Sequence, residues 1–257
     1  QRFIDVYLDD EYRGMYILTE RVDEKHLALG DSGALFKAPG LFLSMDDSFF
    51  HYHKRPDHWE QRFPDLETDD RSARLEEFLD LIHDGSDEEF IGQIEDYVDL
   101  EHVMEWEITL LMANNSTGVF KNYYLYQKER EGQYFFALWD ADRGFGRDDD
   151  YELNLDGFMN VNRNEMLRRL QSLNVSNWNE RLLARWQQGN WDAIRYGQYL
   201  DELMMEVQPY IERNAARWPN DGEYYTDAND FYAEVELIRD WIDKRAVLVD
   251  SFMKQSH

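Results

Sequence analysis

Cysteine is absent from all 257 residues. Its absence excludes a disulfide framework, a thiolate zinc site and a cysteine nucleophile, and leaves the compartment open. Lysine is scarce: 7 Lys stand beside 20 Arg, against 54 Asp and Glu, for a formal net charge of −27. A surface of that sign repels phosphate backbones, which argues against a general nucleic-acid binder. Plentiful carboxylates with few lysines suit solubility in salty surroundings, where screening weakens self-repulsion. No run approaches the ~18–20 continuous apolar residues that a membrane-spanning helix needs. Residues 1–20 lack the basic start and apolar core of a signal peptide. The chain opens at Gln1 in a strand-like run, as a processed chain does. What is present is a folding composition, 43% apolar and 15% aromatic. A chain of this length buries roughly three quarters of its unfolded surface without staples.

Alternation and β-branched or aromatic content predict strands over 3–8 and 12–19, joined by Asp9-Asp10-Glu11, with Gly14 as a bulge candidate. A short helix is expected over 20–29, stopped by Gly30, and a further strand over 33–38. Residues 41–68 carry no readable period. From Asp69 the period becomes helical. Ser86 and Glu89 have capping-box spacing, and Asp99 caps a helix over 100–113. Strands follow over 122–127 and 133–138, with a turn between them. Beyond about Asn164 the chain reads as helix, with apolar stripes built on Trp178, Leu182 and Trp186, on Leu203, Val207 and Ile211, and on Tyr232, Val235, Trp241 and Leu248. At helical spacing these are core residues before they are a ligand platform. No internal repeat or low-complexity linker interrupts the chain.

The chemistry-bearing segment is Lys121-Asn122-Tyr123-Tyr124-Leu125-Tyr126, followed after the hairpin by Asp140-Ala141-Asp142-Arg143-Gly144-Phe145-Gly146. A hairpin brings its two outer ends to one sheet edge. It therefore presents the Asn122 amide beside the Asp140 and Asp142 carboxylates, a hard-oxygen set suited to Mg²⁺ or Mn²⁺. Protein kinases likewise hold their metals with an Asn and an Asp separated by a hairpin.

On these residues the chain resembles the CotH kinase family, atypical protein kinases named for a spore-coat protein. The resemblance rests on Val6 through Glu20, on Asn122 through Tyr126, on Trp139-Asp140-Ala141-Asp142-Arg143-Gly144-Phe145-Gly146, and on Trp241-Ile242-Asp243-Lys244-Arg245. It covers nearly the whole chain. It implies one α+β, atypical protein-kinase-like domain over 1–257, with a small β-rich part at about 1–45. A larger mainly helical part at about 69–257 would carry the central hairpin 122–138. It implies ATP-dependent, metal-assisted phosphoryl transfer to protein Ser or Thr hydroxyls, with Asp140, and second to it Asp142, as the catalytic and metal-holding acids. Asn122 is implied as a further Mg²⁺ or Mn²⁺ ligand, and Glu20 as a structural or cation-pairing group of the small lobe. Lys37 is the candidate phosphate-contacting cation, followed by Arg143 and Lys121.

One departure weighs against catalysis. A kinase catalytic loop places its base five residues before the metal-binding Asn. That position holds Thr117, and the run Asn114 to Gly118 contains no carboxylate. The alternative is therefore a pseudokinase-like binding module whose acidic face meets a cationic protein partner.

Rival readings use neighbouring residues. An EF-hand counted from Asp140 would need Gly and Glu where Phe145 and Tyr151 stand, and is rejected. A non-EF calcium site of Asp140, Asp142, Asp148 and Asp150 remains open, as does a zinc site at His51, His53 and His58 with Asp57. Asn-x-Ser/Thr triplets begin at Asn114, Asn115 and Asn174, and matter only in a glycosylating pathway.

Overall fold

A computed structural model describes residues 1–37, 60–115, 117–119, 121–142, 144–146, 164–189, 191–219 and 230–255. The fold is α+β, consistent with a kinase-like architecture. The chain forms two compact units, residues 1–21 with 190–247 and residues 22–189 with 248–257.

In the first unit, β1 (Arg2–Leu8) and β2 (Glu11–Leu18) pair antiparallel as a hairpin. Its two-residue loop, Asp9-Asp10, has φ of 52° and 62°. Two successive left-handed residues match the twist of the flanking strands, and Asp tolerates that conformation through its own backbone hydrogen bonds. Val6 pairs with Gly14 and Tyr7 with Tyr12, so Arg13 is the extra residue of a bulge. Gly14, at φ 120°, is required by crowding, because a Cβ there would stand 2.6 Å from Trp218 Nε1. Among the described residues, this unit carries helices α6 (Ala193–Val207), α7 (Ile211–Arg217) and α8 (Phe231–Gln255), the last belonging here as far as Val247. The α7 end grips the hairpin by polar contacts. Met15 N donates to Asn214 Oδ1 at 2.9 Å, Trp218 Nε1 donates to Arg13 O at 2.9 Å, and Arg213 pairs with Asp5 at 2.6 Å. Trp241 and Val235 are buried as the stripe predicts, whereas Tyr232 and Leu203 are about half exposed.

In the second unit, β3 (Ala34–Lys37), β4 (Glu60–Phe63), β5 (Tyr123–Gln127) and β6 (Tyr134–Leu138) form one antiparallel sheet in the order β4-β3-β5-β6. Among the described residues the sheet is accompanied by helices α1 (Ser72–His83), α2 (Asp87–Tyr97), α3 (Leu100–Ala113), α4 (Glu165–Ser172) and α5 (Trp178–Gln188). The predicted caps form. Ser86 and Glu89 exchange side-chain-to-backbone bonds, and Asp99 accepts from His102 N. The helix α3 is buried almost all round, at Val103, Met104, Trp106, Ile108, Leu110 and Leu111 among others, and packs on β6. Trp106 stacks on Phe136 with centroids 4.4 Å apart, and Phe136 N donates to His102 Nε2 at 2.9 Å. Arg169 on α4, 4% exposed, donates to the carbonyls of Leu81, Ile82 and Ser86 and pairs with Asp87. It thus satisfies carbonyls at the end of α1 that the helix itself leaves open.

Two elements differ from the sequence reading. Residues 20–29 make a single turn, not a helix. Asp23 Oδ1 accepts from Lys25 N and His26 N, and Ala28 sits at φ 51°. A left-handed residue ends an α-helix, and the Asp side chain competes for the backbone donors. Strand β4 lies where no period is legible. It is a short edge strand of Glu-Gln-Arg-Phe whose single apolar residue gives no alternation. Within the expected β-rich region 1–45, β1 and β2 form a sheet by themselves, whereas β3 joins β5 at Lys37↔Tyr124.

Glu107, at the centre of α3, is 1% exposed. Its Oε1 accepts from Gln171 Nε2 at 2.6 Å, and among the described residues Oε2 has no partner. Burial pushes its pKa up to about 8 from an ordinary 4.5. The native state therefore holds a proton that the unfolded chain releases, and stability falls as pH rises across that window. The slope is at most about 1.4 kcal/mol per pH unit. Glu107→Gln, a neutral isostere that keeps the bond to Gln171, should match the native chain near about pH 5 and exceed it increasingly towards about pH 9 in urea unfolding. Parallel pH profiles for the two chains would refute this.

Candidate functional site

The ladder between β5 and β6 ends at the pair Tyr123↔Leu138. One further bond, Trp139 N to Asn122 O at 2.9 Å, holds the next residues together. Asn122 and Asp140 then turn left-handed, at φ 64° and 54°, which stops the extended strands. In that turn the Asn122 amide donates from Nδ2 to Asp140 O at 3.3 Å. The hairpin therefore brings Asn122 and Asp140 side by side, as their positions in the sequence predict.

The C-terminus of α3 meets the same place. Asn114 caps the helix in the left-handed conformation at φ 51°. Phe145 N, itself at φ 54°, donates to Ala113 O at 2.8 Å, tying the segment after β6 back to the helix end. Gly144 permits this approach, since a Cβ there would lie 3.1 Å from Ala113 O. Asn115 is 1% exposed, and its Oδ1 accepts from Gly118 N at 2.8 Å and from Thr117 Oγ1 at 3.1 Å. Thr117 Oγ1 in turn accepts from Asn122 Nδ2 at 3.2 Å. Several left-handed non-glycine residues within one small region are the kind of backbone strain that collects at functional sites.

Asp140 and Asp142 are exposed, and among the described residues neither carboxylate is hydrogen-bonded or ion-paired. Asp142 O accepts from Gly144 N at 3.2 Å. Lys37 is half-buried at the end of β3. Its Nζ lies 5.8 Å from the ring centroids of both Tyr124 and Trp139, one residue before Asp140. Lys121 is half-buried next to Asn122, with its N–H bonded to Thr117 O at 2.9 Å. Glu20 is exposed after β2 and belongs to the first unit, whereas the other described candidates belong to the second. Arg143 lies outside the described residues, as do Asp148 and Asp150 of the calcium reading and His51, His53, His58 and Asp57 of the zinc reading. Among the described residues no group of three or more His, Asp or Glu side chains forms a metal cluster. Asn115 is buried with its side chain engaged, so its triplet cannot accept a glycan in the folded chain.

The sequence points to Asn122, Asp140, Asp142, Lys37, Lys121, Arg143 and Glu20, and to Thr117 as the position of an absent base. The role of Asn115 goes unread, although Asn-x-x-Gly from Asn115 to Gly118 is a local turn signal. The family model for CotH kinase protein matches residues 1–249. The chain belongs to the CotH kinase family. No curated protein matches it. Membership makes this a kinase-like protein, and the matched span includes the hairpin end described above.

The two rings around Lys37 make its structural cost small. Cation–π contacts of this exposure are worth about 0.5–1 kcal/mol. Lys37→Met should lower the unfolding free energy by no more than about 1 kcal/mol in urea titration. A larger loss would mean that Lys37 holds the sheet together and is no spare cation.

Proposed function

We propose that this CotH-family protein is an ATP- and divalent-metal-dependent phosphotransferase acting on Ser or Thr hydroxyls of a protein substrate. The observation that supports it most is the contact of the Asn122 amide with Asp140 at the end of the β5–β6 hairpin. The donor set fits a hard cation. Asn122 Oδ1 and the two carboxylates are oxygen donors, and among the described residues the carboxylates carry no competing cation. Asp140, Asn122 and Asp142 would hold Mg²⁺ or Mn²⁺. The ion neutralises charge on the nucleotide phosphates when bound. Lys37 would meet a phosphate from the neighbouring strand, with Lys121 and Arg143 as further cations. Phosphoryl transfer demands positioning and charge neutralisation above base catalysis, so a site without a carboxylate at 117 is not thereby inert.

A second reading has its own observation. The Thr117 hydroxyl donates to Asn115 and accepts from Asn122, and a hydroxyl so held is no substitute for a carboxylate base. This favours a pseudokinase-like module that binds the nucleotide, or a cationic protein partner on its acidic surface, without turnover.

Asp140→Asn should leave the unfolding midpoint of the free chain in place and abolish the thermal stabilisation that ATP with Mn²⁺ gives. Unchanged ATP affinity in that variant would remove the assignment of Asp140. Mass spectrometry of the same incubations separates the readings: phosphate incorporated with stabilisation indicates the enzyme, and stabilisation alone indicates the binding module.

A further inference from the structure

An Asn side chain has two faces that a cation tells apart: an oxygen that can bind it and an NH₂ that repels it. Which face Asn122 turns outward is decided by its neighbours, and they form a directed chain. The first member is a backbone donor, Gly118 N, which cannot reverse its sense. It donates to Asn115 Oδ1 at 2.8 Å. Asn115 is 1% exposed, which leaves little room for water in place of a partner. The amide of Asn115 is thus fixed with its oxygen towards residues 117 and 118. The Thr117 hydroxyl must then donate to that oxygen, at 3.1 Å. A hydroxyl has one hydrogen, so towards Asn122 Thr117 can only accept. It does so from Nδ2 at 3.2 Å. The remaining Nδ2 hydrogen goes to Asp140 O at 3.3 Å, an acceptor by nature.

Both hydrogens of Asn122 are therefore committed to protein acceptors. A flipped amide would set its oxygen against the Thr117 oxygen and the Asp140 carbonyl, two acceptor–acceptor contacts. Among the described residues no donor is aimed at Asn122 Oδ1. We infer that Thr117 is a positioning residue, a one-way hydroxyl relay from Asn115 that locks the Asn122 carboxamide with Oδ1 turned towards a divalent cation. The inference rests on the phosphotransfer reading in taking Asn122 as a metal ligand. It also gives residue 117 a purpose other than that of a lost base. A carboxylate there could not donate to Asn115 and would face its oxygen with like polarity.

The test compares Thr117→Val, which keeps the shape and removes the hydroxyl, with Thr117→Ser, which restores it. Groups that orient a metal ligand typically account for about 10–100-fold in metal affinity. Calorimetric titration of Mn²⁺ into the full chain with a non-hydrolysable ATP analogue should show Thr117→Val weakened by at least about tenfold and Thr117→Ser within about twofold. Binding of the analogue without metal should be equal in all three. A second readout needs no ligand: the Asn122 side-chain NH₂ resonances should be protected from solvent exchange in the native and Ser chains and exposed in the Val chain. Wild-type-like metal affinity or NH₂ protection in Thr117→Val would overturn the inference, as would a Ser variant no better than Val. If the native chain binds no metal–nucleotide at all, the phosphotransfer reading fails. The NH₂ protection then still decides whether Thr117 locks Asn122.

Discussion

The pairing register of β5 with β6 governs everything that happens at their end. A slip of one residue would exchange the faces of every side chain on the moved strand. It would also part Asn122 from Asp140, because their contact depends on Trp139 N reaching Asn122 O. Aromatic packing fixes the register from behind. Trp106 stacks on Phe136 and meets Tyr123 edge-on at 5.3 Å, while Tyr134 stacks on Phe78 at 5.2 Å. Tyr123 and Tyr134 are almost wholly buried, and no slipped arrangement could keep both there. Stacked and edge-on ring pairs add about 0.5–1.5 kcal/mol each beyond the area they bury. Together they make the polar end of the hairpin as well specified as its apolar middle.

An acidic chain of net charge −27 must spend its few cations well. Arginine suits that task, since its planar fork reaches several acceptors from one side chain. Arg169 serves three carbonyls and one carboxylate. Arg71, also buried, bonds Asp69 and the carbonyl of Ser32, so it links the turn before β3 to the start of α1. Asp69 takes a second arginine, Arg130 from the β5–β6 turn, and the two guanidiniums hold its carboxyl below the usual range. Among the described residues, then, Arg71 and Arg169 are structural: each lies buried and ties separate segments together.

Local signals carried much of the fold. The capping box at Ser86, the cap at Asp99 and the two strands of the hairpin are each written within a few residues, and each forms at its expected place. Asn122 and Asp140 were legible for the same reason, since a hairpin is a local object. What escaped was non-local or weakly patterned. The polar edge strand β4 has too little apolar content to show a period. The partner of β3 is β5, almost ninety residues on, and the hairpin β1–β2 is held by Asn214, 199 residues from Met15. No window of one sequence contains both sides of such a contact. At Thr117 the spacing from Asn122 identifies the position, whereas the bonds its hydroxyl makes are visible only once Asn115 is placed.

The site also depends on α3 being a fixed post. Because that helix is apolar on nearly all sides, it can be clamped by the sheet on one flank and by α5 on another. Its C-terminal carbonyls then become reliable anchors. Ala113 O receives Phe145 N, and Leu110 O receives Asn115 N at 3.1 Å. Through the first bond the segment carrying Asp140 and Asp142 is tied to the helix, and through the second so is the relay that ends on Asn122. The amide and the acids thus take their positions from one rigid element reached by two routes. Sites supported in this way hold their geometry more closely than sites carried on loops alone. The left-handed residues at 114, 122, 140 and 145 are the cost of bringing four turns to that single helix end.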